Sequence, residues 1–253
     1  MESYATAAQV YAAGLIFARL GALVMLIPGI GDSSVPPRIR LSFAFLLTLM
    51  LTPVIAPAMA VPESSSALGG AVIKEVLIGL MIGGILRMFL SSLAAAGEII
   101  SLQTTLSFSQ TAAPGSAQPS TSISTFLGLI GLTLIMTTDL HHLFIGAIVR
   151  SYTLFPFARD LPVADAGQLA VQTVADSFKL GLQLSAPVVV FSLIFNVATG
   201  LVGRVMPQFQ IFFVATPLMV LFGLSIFALS LGVIGSVWVS RYRELLAVFG
   251  AGG

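Results

Sequence analysis

Cysteine is absent from all 253 residues, histidine occurs twice, tryptophan once, and only 8% of the residues are charged. The lack of cysteine excludes disulfides, thiolate metal sites and cysteine nucleophiles. The scarcity of charge is more decisive, because soluble domains carry about 25%. Eleven Lys and Arg against ten Asp and Glu leave a net charge of +1, so no basic face exists to bind nucleic acid. What fills the chain instead is apolar: 57% of its residues are hydrophobic and the mean hydropathy is +1.04. That composition belongs to an integral membrane protein. Glu2 is the only charge before Arg19, so the first apolar segment lacks the basic start of a cleaved signal peptide and is expected to remain.

A span needs about 20 mostly apolar residues. Six segments qualify, roughly 7–30, 41–60, 74–97, 123–149, 180–203 and 209–240, which predicts an all-α, polytopic membrane-type protein of about six long, kinked hydrophobic helices. The expected connectors are 31–40, 61–73, 106–122, 150–179 and 204–208. Even spans put both ends on one side. With the ends cytoplasmic, that side holds Lys74, Arg150, Arg159, Lys179, Arg241 and Arg243, and the other Arg38, Arg40 and Arg204, the bias expected of cytoplasmic loops.

Two features strain a plain bundle. No Asp, Glu, Lys or Arg occurs from Val205 to Ser240, a stretch that as helix outruns a hydrocarbon core of about 30 Å. Pro53, Pro57, Pro187, Pro207 and Pro217 lie in or beside apolar runs, where each removes a backbone donor and invites a kink. Both point to a subunit enclosed by other protein. In 164–182, Ala170, Val174, Phe178 and Leu182 repeat at fourfold spacing, an apolar stripe read as an interfacial or partner-facing helix.

Polar residues are few enough to weigh singly. Arg19, Arg87 and Glu98 fall within apolar stretches, where a charge costs about 2.5–3.5 kcal/mol at the bilayer centre. They either line a polar pathway or find partners on neighbouring helices. Arg87, Glu98 and Asp139 together are the only basis for a stand-alone secondary transporter, and paired broken halves of that class are not apparent. Asp139, His141 and His142 form the one histidine cluster. Adjacent histidines point to different helix faces and no second cluster completes a tetrahedral site, so the expectation is a polar patch at a helix end, with no metal and no cofactor. Gly29-Ile30-Gly31-Asp32 leads into Pro36-Pro37 and reads as a turn, not a dinucleotide fingerprint. Gly79 and Gly83 form a GxxxG pair, a packing device. Glu98 follows the small residues of 91–97 and precedes Gln103, so this part of its helix is expected to face protein or water. The segment 196–212, with Asn196, Gly200, Gly203, Arg204, Pro207, Gln208 and Gln210, reads either as a capped helix end and proline turn or as an amide-rich subunit contact.

Five blocks, 18–53, 74–89, 95–116, 139–157 and 196–217, recur in that order in the flagellar export-gate family FliR, whose injectisome counterpart is SctT. The matching positions are Pro28, Gly29, Pro36 and Arg38, then Glu75, Ile78 and Gly79, then Asn196, Gly200, Arg204, Pro207 and Gln208. The resemblance implies a non-enzymatic, pore-forming subunit of the type III export gate in the bacterial inner membrane at the flagellar basal body. FliP-like and FliQ-like subunits, FlhB and FlhA, membrane lipid and exported unfolded proteins would be its partners. It implies a FliP-like part, 1–180, followed by a FliQ-like hairpin and tail, 181–253. It also implies that the loop 106–122 plugs the closed pore, with Leu106, Ser107, Phe108, Ser109, Gln110, Pro114 and Gly115 on it. Glu75, Arg87, Glu98, Gln103, Asn196, Gly200, Arg204, Pro207 and Gln208 would then be polar or subunit-contact positions. The chain has no Walker-type loop, and the plug loop has no charge, hence no salt bridge to break on leaving a pore axis.

Overall fold

A computed structural model describes residues 7–32, 34–55, 65–107, 120–157, 163–208 and 210–250, and no strand occurs among them. The described residues form seven helices: α1 Ala7–Val24, α2 Pro37–Ile55, α3 Ser65–Gln103, α4 Ser122–Thr137, α5 Leu140–Leu154, α6 Val163–Val205 and α7 Ile211–Gly250. The helices Pro37–Ile55, Ser66–Gln103, Gly167–Val205 and Ile211–Ala247 are long and apolar enough to cross a membrane, and α4 with α5 makes a fifth candidate. This is a polytopic helical membrane protein.

Several expected boundaries move. The first expected span, 7–30, shortens to α1, which ends at Val24 and is shorter than the span candidates, and the turn read at 29–32 is present: Gly29 adopts a φ of 89° and Asp32 Oδ2 accepts the Gly29 N–H at 3.2 Å. The expected connector 61–73 is helical from Ser65, and the stripe at 164–182 is continuous with the following span in the 43-residue α6. The expected span 123–149 is instead two helices, since Asp139 takes the left-handed conformation at φ 57°; a short polar side chain tolerates that geometry better than most. Pro53, Pro187 and Pro217 lie inside α2, α6 and α7, Pro207 lies in the turn after α6, and Pro57 is outside the described residues.

Contacts divide the chain into two compact units, Met1–Phe89 with Asp139–Val174 and Arg243–Gly253, and Leu90–Thr138 with Ala175–Tyr242. In the first, α1 buries Ala12, Ile16, Leu20 and Leu23, and α3 buries Ile78, Ile82, Ile85 and Phe89, each an apolar stripe at helical spacing. Gly79 and Gly83 set the approach of α3 to α1. A Cβ at Gly79 would strike the Arg19 carbonyl oxygen and Ala22, and one at Gly83 would strike Leu26 and the Leu23 carbonyl oxygen. Gly79→Ala is therefore expected to lower the thermal midpoint of the purified protein, at a cost of about 1–3 kcal/mol for overpacking. Gly84, with open space around its would-be Cβ, should accept Ala without loss. Equal midpoints for the two variants would refute the close approach.

In the second unit, the small residues after Leu90 let three helices close on α3. Ser124 Oγ of α4 donates to the Ala94 carbonyl at 3.0 Å, Gly181 of α6 lies over Ser92 and Ala95, and Trp238 Nε1 of α7 donates to Ser92 Oγ at 3.2 Å. Trp238 is fully buried and stacks on Tyr242. The buried face of α6 includes Ser177, Leu180, Leu184, Ser185, Val188 and Ser192, whereas Val174, Phe178 and Leu182 of the predicted stripe point outward.

Candidate functional site

Arg19 is completely buried on α1, and every prong of its guanidinium is used. Nε donates to Glu75 Oε2 at 2.5 Å, Nη1 to Ser151 Oγ at 3.2 Å and Nη2 to the Phe155 carbonyl at 2.9 Å, while its Cζ lies 4.0 Å from the centre of the Tyr152 ring. Glu75, 1% exposed, balances the charge. Lys74 Nζ donates to the Pro156 and Phe157 carbonyls at 3.4 and 3.0 Å. Two cations thus hold consecutive carbonyls where α5 ends, where the helix dipole favours positive charge. Glu75 is spent inside the chain on this cluster.

Arg87 is half exposed, with Nη1 3.5 Å from the Gly31 carbonyl and Nη2 4.0 Å from Asp32 Oδ1. Asp139 lies 3.6 Å from His142 Nδ1. The expectation that His141 and His142 point apart is corrected. Their ring centres lie 4.1 Å apart, and one ligand atom from each of the three residues falls within 4.8 Å of the others. Asp139 and His142 are exposed. Arg87, Glu98 and Asp139 each engage local partners within their own unit.

The second unit holds the base of the loop. Glu98 Oε1 accepts the Thr121 backbone N–H at 2.8 Å, and Thr121 Oγ1 in turn accepts the Ser124 N–H at 3.3 Å as the N-cap of α4. A Cβ on Gly97 would collide with the Ser124 backbone, so the two segments touch main chain to main chain. One turn later Gln103 Oε1 accepts from Ser192 Oγ of α6 at 2.8 Å. Thr105 then turns off the helix at φ 60°, and the Ser107 N–H returns to the Ser101 carbonyl at 3.3 Å. Leu106 and Ser107 are thereby placed beside the end of α3. Phe108, Ser109, Gln110, Pro114 and Gly115 lie outside the described residues.

Thr105 also closes one side of an apolar cleft of about 430 Å³ between the end of α6 and the start of α7, lined by Asn196, Thr199, Gly200, Gly203, Phe212 and Met219 among others. The structure thus brings Thr105, the residue just before the loop, to the 196–212 turn, which sequence separation conceals. Asn196, Gly200, Arg204, Pro207 and Gln208 are all exposed, and Arg204 lies in the last turn of α6. The partners that sequence reasoning missed are Ser151 and Phe155 for Arg19, Thr121 for Glu98, Ser192 for Gln103 and Ser92 for Trp238. Only the small-residue run containing Ser92 and the lone tryptophan carried any signal of them.

Residues 10–245 match the model of bacterial export proteins, family 1. The flagellar biosynthetic protein FliR of Caulobacter vibrioides is 63% identical over 250 residues, 98% of this chain and the whole of that protein. The chain belongs to the FliR family. Its similarity extends to FliR of Escherichia coli, 31% identical over 90% of this chain and 87% of that protein, and to FliR of Bacillus subtilis, 28% identical over 93% and 95%. The FliR family match spans both compact units, so the Arg19 cluster and the loop base both fall within it.

Proposed function

We propose that this chain is a structural, pore-forming subunit of the type III flagellar protein export gate, helping to assemble and close the channel through which unfolded substrates are secreted. One observation carries the reading. The candidate spans in α3, α6 and α7 cover 38, 39 and 37 residues, about 55–58 Å of helix against a hydrocarbon core of about 30 Å. Only 11% of the apolar window in α6 is buried within the chain. A bilayer covers half of such a helix, and the remainder needs protein. FliP-like and FliQ-like subunits, with FlhB and FlhA, are the proposed cover, in the bacterial inner membrane at the flagellar basal body.

In this account 1–180 is the FliP-like part, 181–253 the FliQ-like hairpin and tail, and 106–122 the plug. The exposed Asn196, Gly200, Arg204, Pro207 and Gln208 face neighbouring subunits, and the subunit has no catalytic step of its own. Co-purification tests the assembly. The tagged chain should bring down FliP-like and FliQ-like proteins in stable proportion and be lost from membranes when they are missing. A stable, solitary chain that transports a small solute would overturn the reading.

A further inference from the structure

We infer that Glu98 is a positioning residue for segment 106–122: its carboxylate locks the entry of α4 to the side of α3 and so fixes the distance between the two ends of that segment. This rests on the plug reading only for its functional consequence. Four observations support the lock itself. The bond from Thr121 N–H to Glu98 Oε1 is 2.8 Å long, and it joins residues separated by 23 positions. Thr121 is buried, so its amide has little water to fall back on. The acceptor is a carboxylate at the N-terminus of a helix, where the exposed N–H groups and the dipole both favour negative charge. Gly97, next to Glu98, meets the Ser124 backbone, and the bond from Ser124 Oγ to the Ala94 carbonyl joins the same two backbones one turn away.

The sequence explains why the charge is tolerated on an apolar helix. Among the described residues no cation pairs with Glu98; its partner is a main-chain donor that α4 cannot satisfy internally. Gln103, bound to Ser192 of α6 at 2.8 Å, holds the next turn of α3 from the other side. The flanks of the segment, Thr105 and Ser120, are therefore held on helices that these bonds tie together.

The test is hydrogen exchange on the assembled complex together with ion leakage through it. Glu98→Ala should speed exchange of the Thr121 amide by about ten- to a hundredfold, the range for losing a hydrogen bond to a charged group, while amides around Leu127 and Ile135 keep their protection. Glu98→Gln, which retains an acceptor oxygen, should recover most of it. The Ala variant should also raise leakage with the segment intact and add nothing once residues 109–119 are removed. Unchanged exchange at Thr121 overturns the lock. Faster exchange with unchanged leakage, in a complex where removing 109–119 does raise it, overturns the positioning role. Should that removal leave leakage unchanged, the plug reading has failed, and the exchange result still decides the lock.

Discussion

Arg19→Ala should leave too little folded chain to purify. The substitution strands the Glu75 carboxylate in a site where only 1% of its surface is exposed. It also removes the donors to Ser151 Oγ and the Phe155 carbonyl. Breaking a buried pair from one side costs about 3–5 kcal/mol, against a total stability of about 5–15 kcal/mol for a typical domain. Glu75→Ala should be as damaging, for the mirror-image reason. Arg19→Lys should fail too, because a single ammonium cannot reach Glu75, Ser151 and Phe155 at once. Replacing both charges together, as Arg19→Met with Glu75→Leu, should restore much of the membrane level, since neither charge is then orphaned. Membrane abundance by immunoblot and the thermal midpoint in detergent check all four variants. Wild-type levels for either single alanine variant would show that the pair does not hold α1, α3 and the end of α5 together.

The cluster also shows where sequence reading stops. Arg19 was visible as a charge in an apolar stretch, and Glu75 as a position shared with a family, but nothing in the spacing joined residues 56 positions apart. The GxxxG pair could be read directly, because Gly at that spacing has one common use in membrane helices, and the structure places both glycines against α1. The turn at 29–32 was equally legible from its glycines and prolines. The start of α3 was not. Ser and Gly around residues 65–70 have the composition of a linker, yet they form the first turns of a helix; tertiary context routinely outweighs such weak local propensity. The break in the fourth expected span turned on one residue, Asp139, whose backbone conformation hydropathy does not encode.

The loop base lies between these cases. Glu98, Gln103 and the small residues before them suggested a helix facing protein, and the structure supplies the protein: Thr121, Ser124 and Ser192. What the sequence could not convey was that α4 begins beside Glu98. That contact turns 106–122 from a connector of unspecified reach into a segment whose two ends are held side by side.

The second large effect follows from that geometry. Trimming the uncharged segment should open the resting gate without dismantling it, provided that Ser120 and Thr121 remain, since Thr121 caps α4 and binds Glu98. The deletion of choice is therefore 109–119. Loop shortening changes closure entropy only slowly with length, about 0.6 kcal/mol per doubling, so the helices around it should assemble as before. The measurement is ion leakage through membranes containing the assembled complex, with secretion of exported proteins followed in parallel. The account predicts a clear rise in leakage with partial export retained, and leakage equal to that of the intact complex would contradict it.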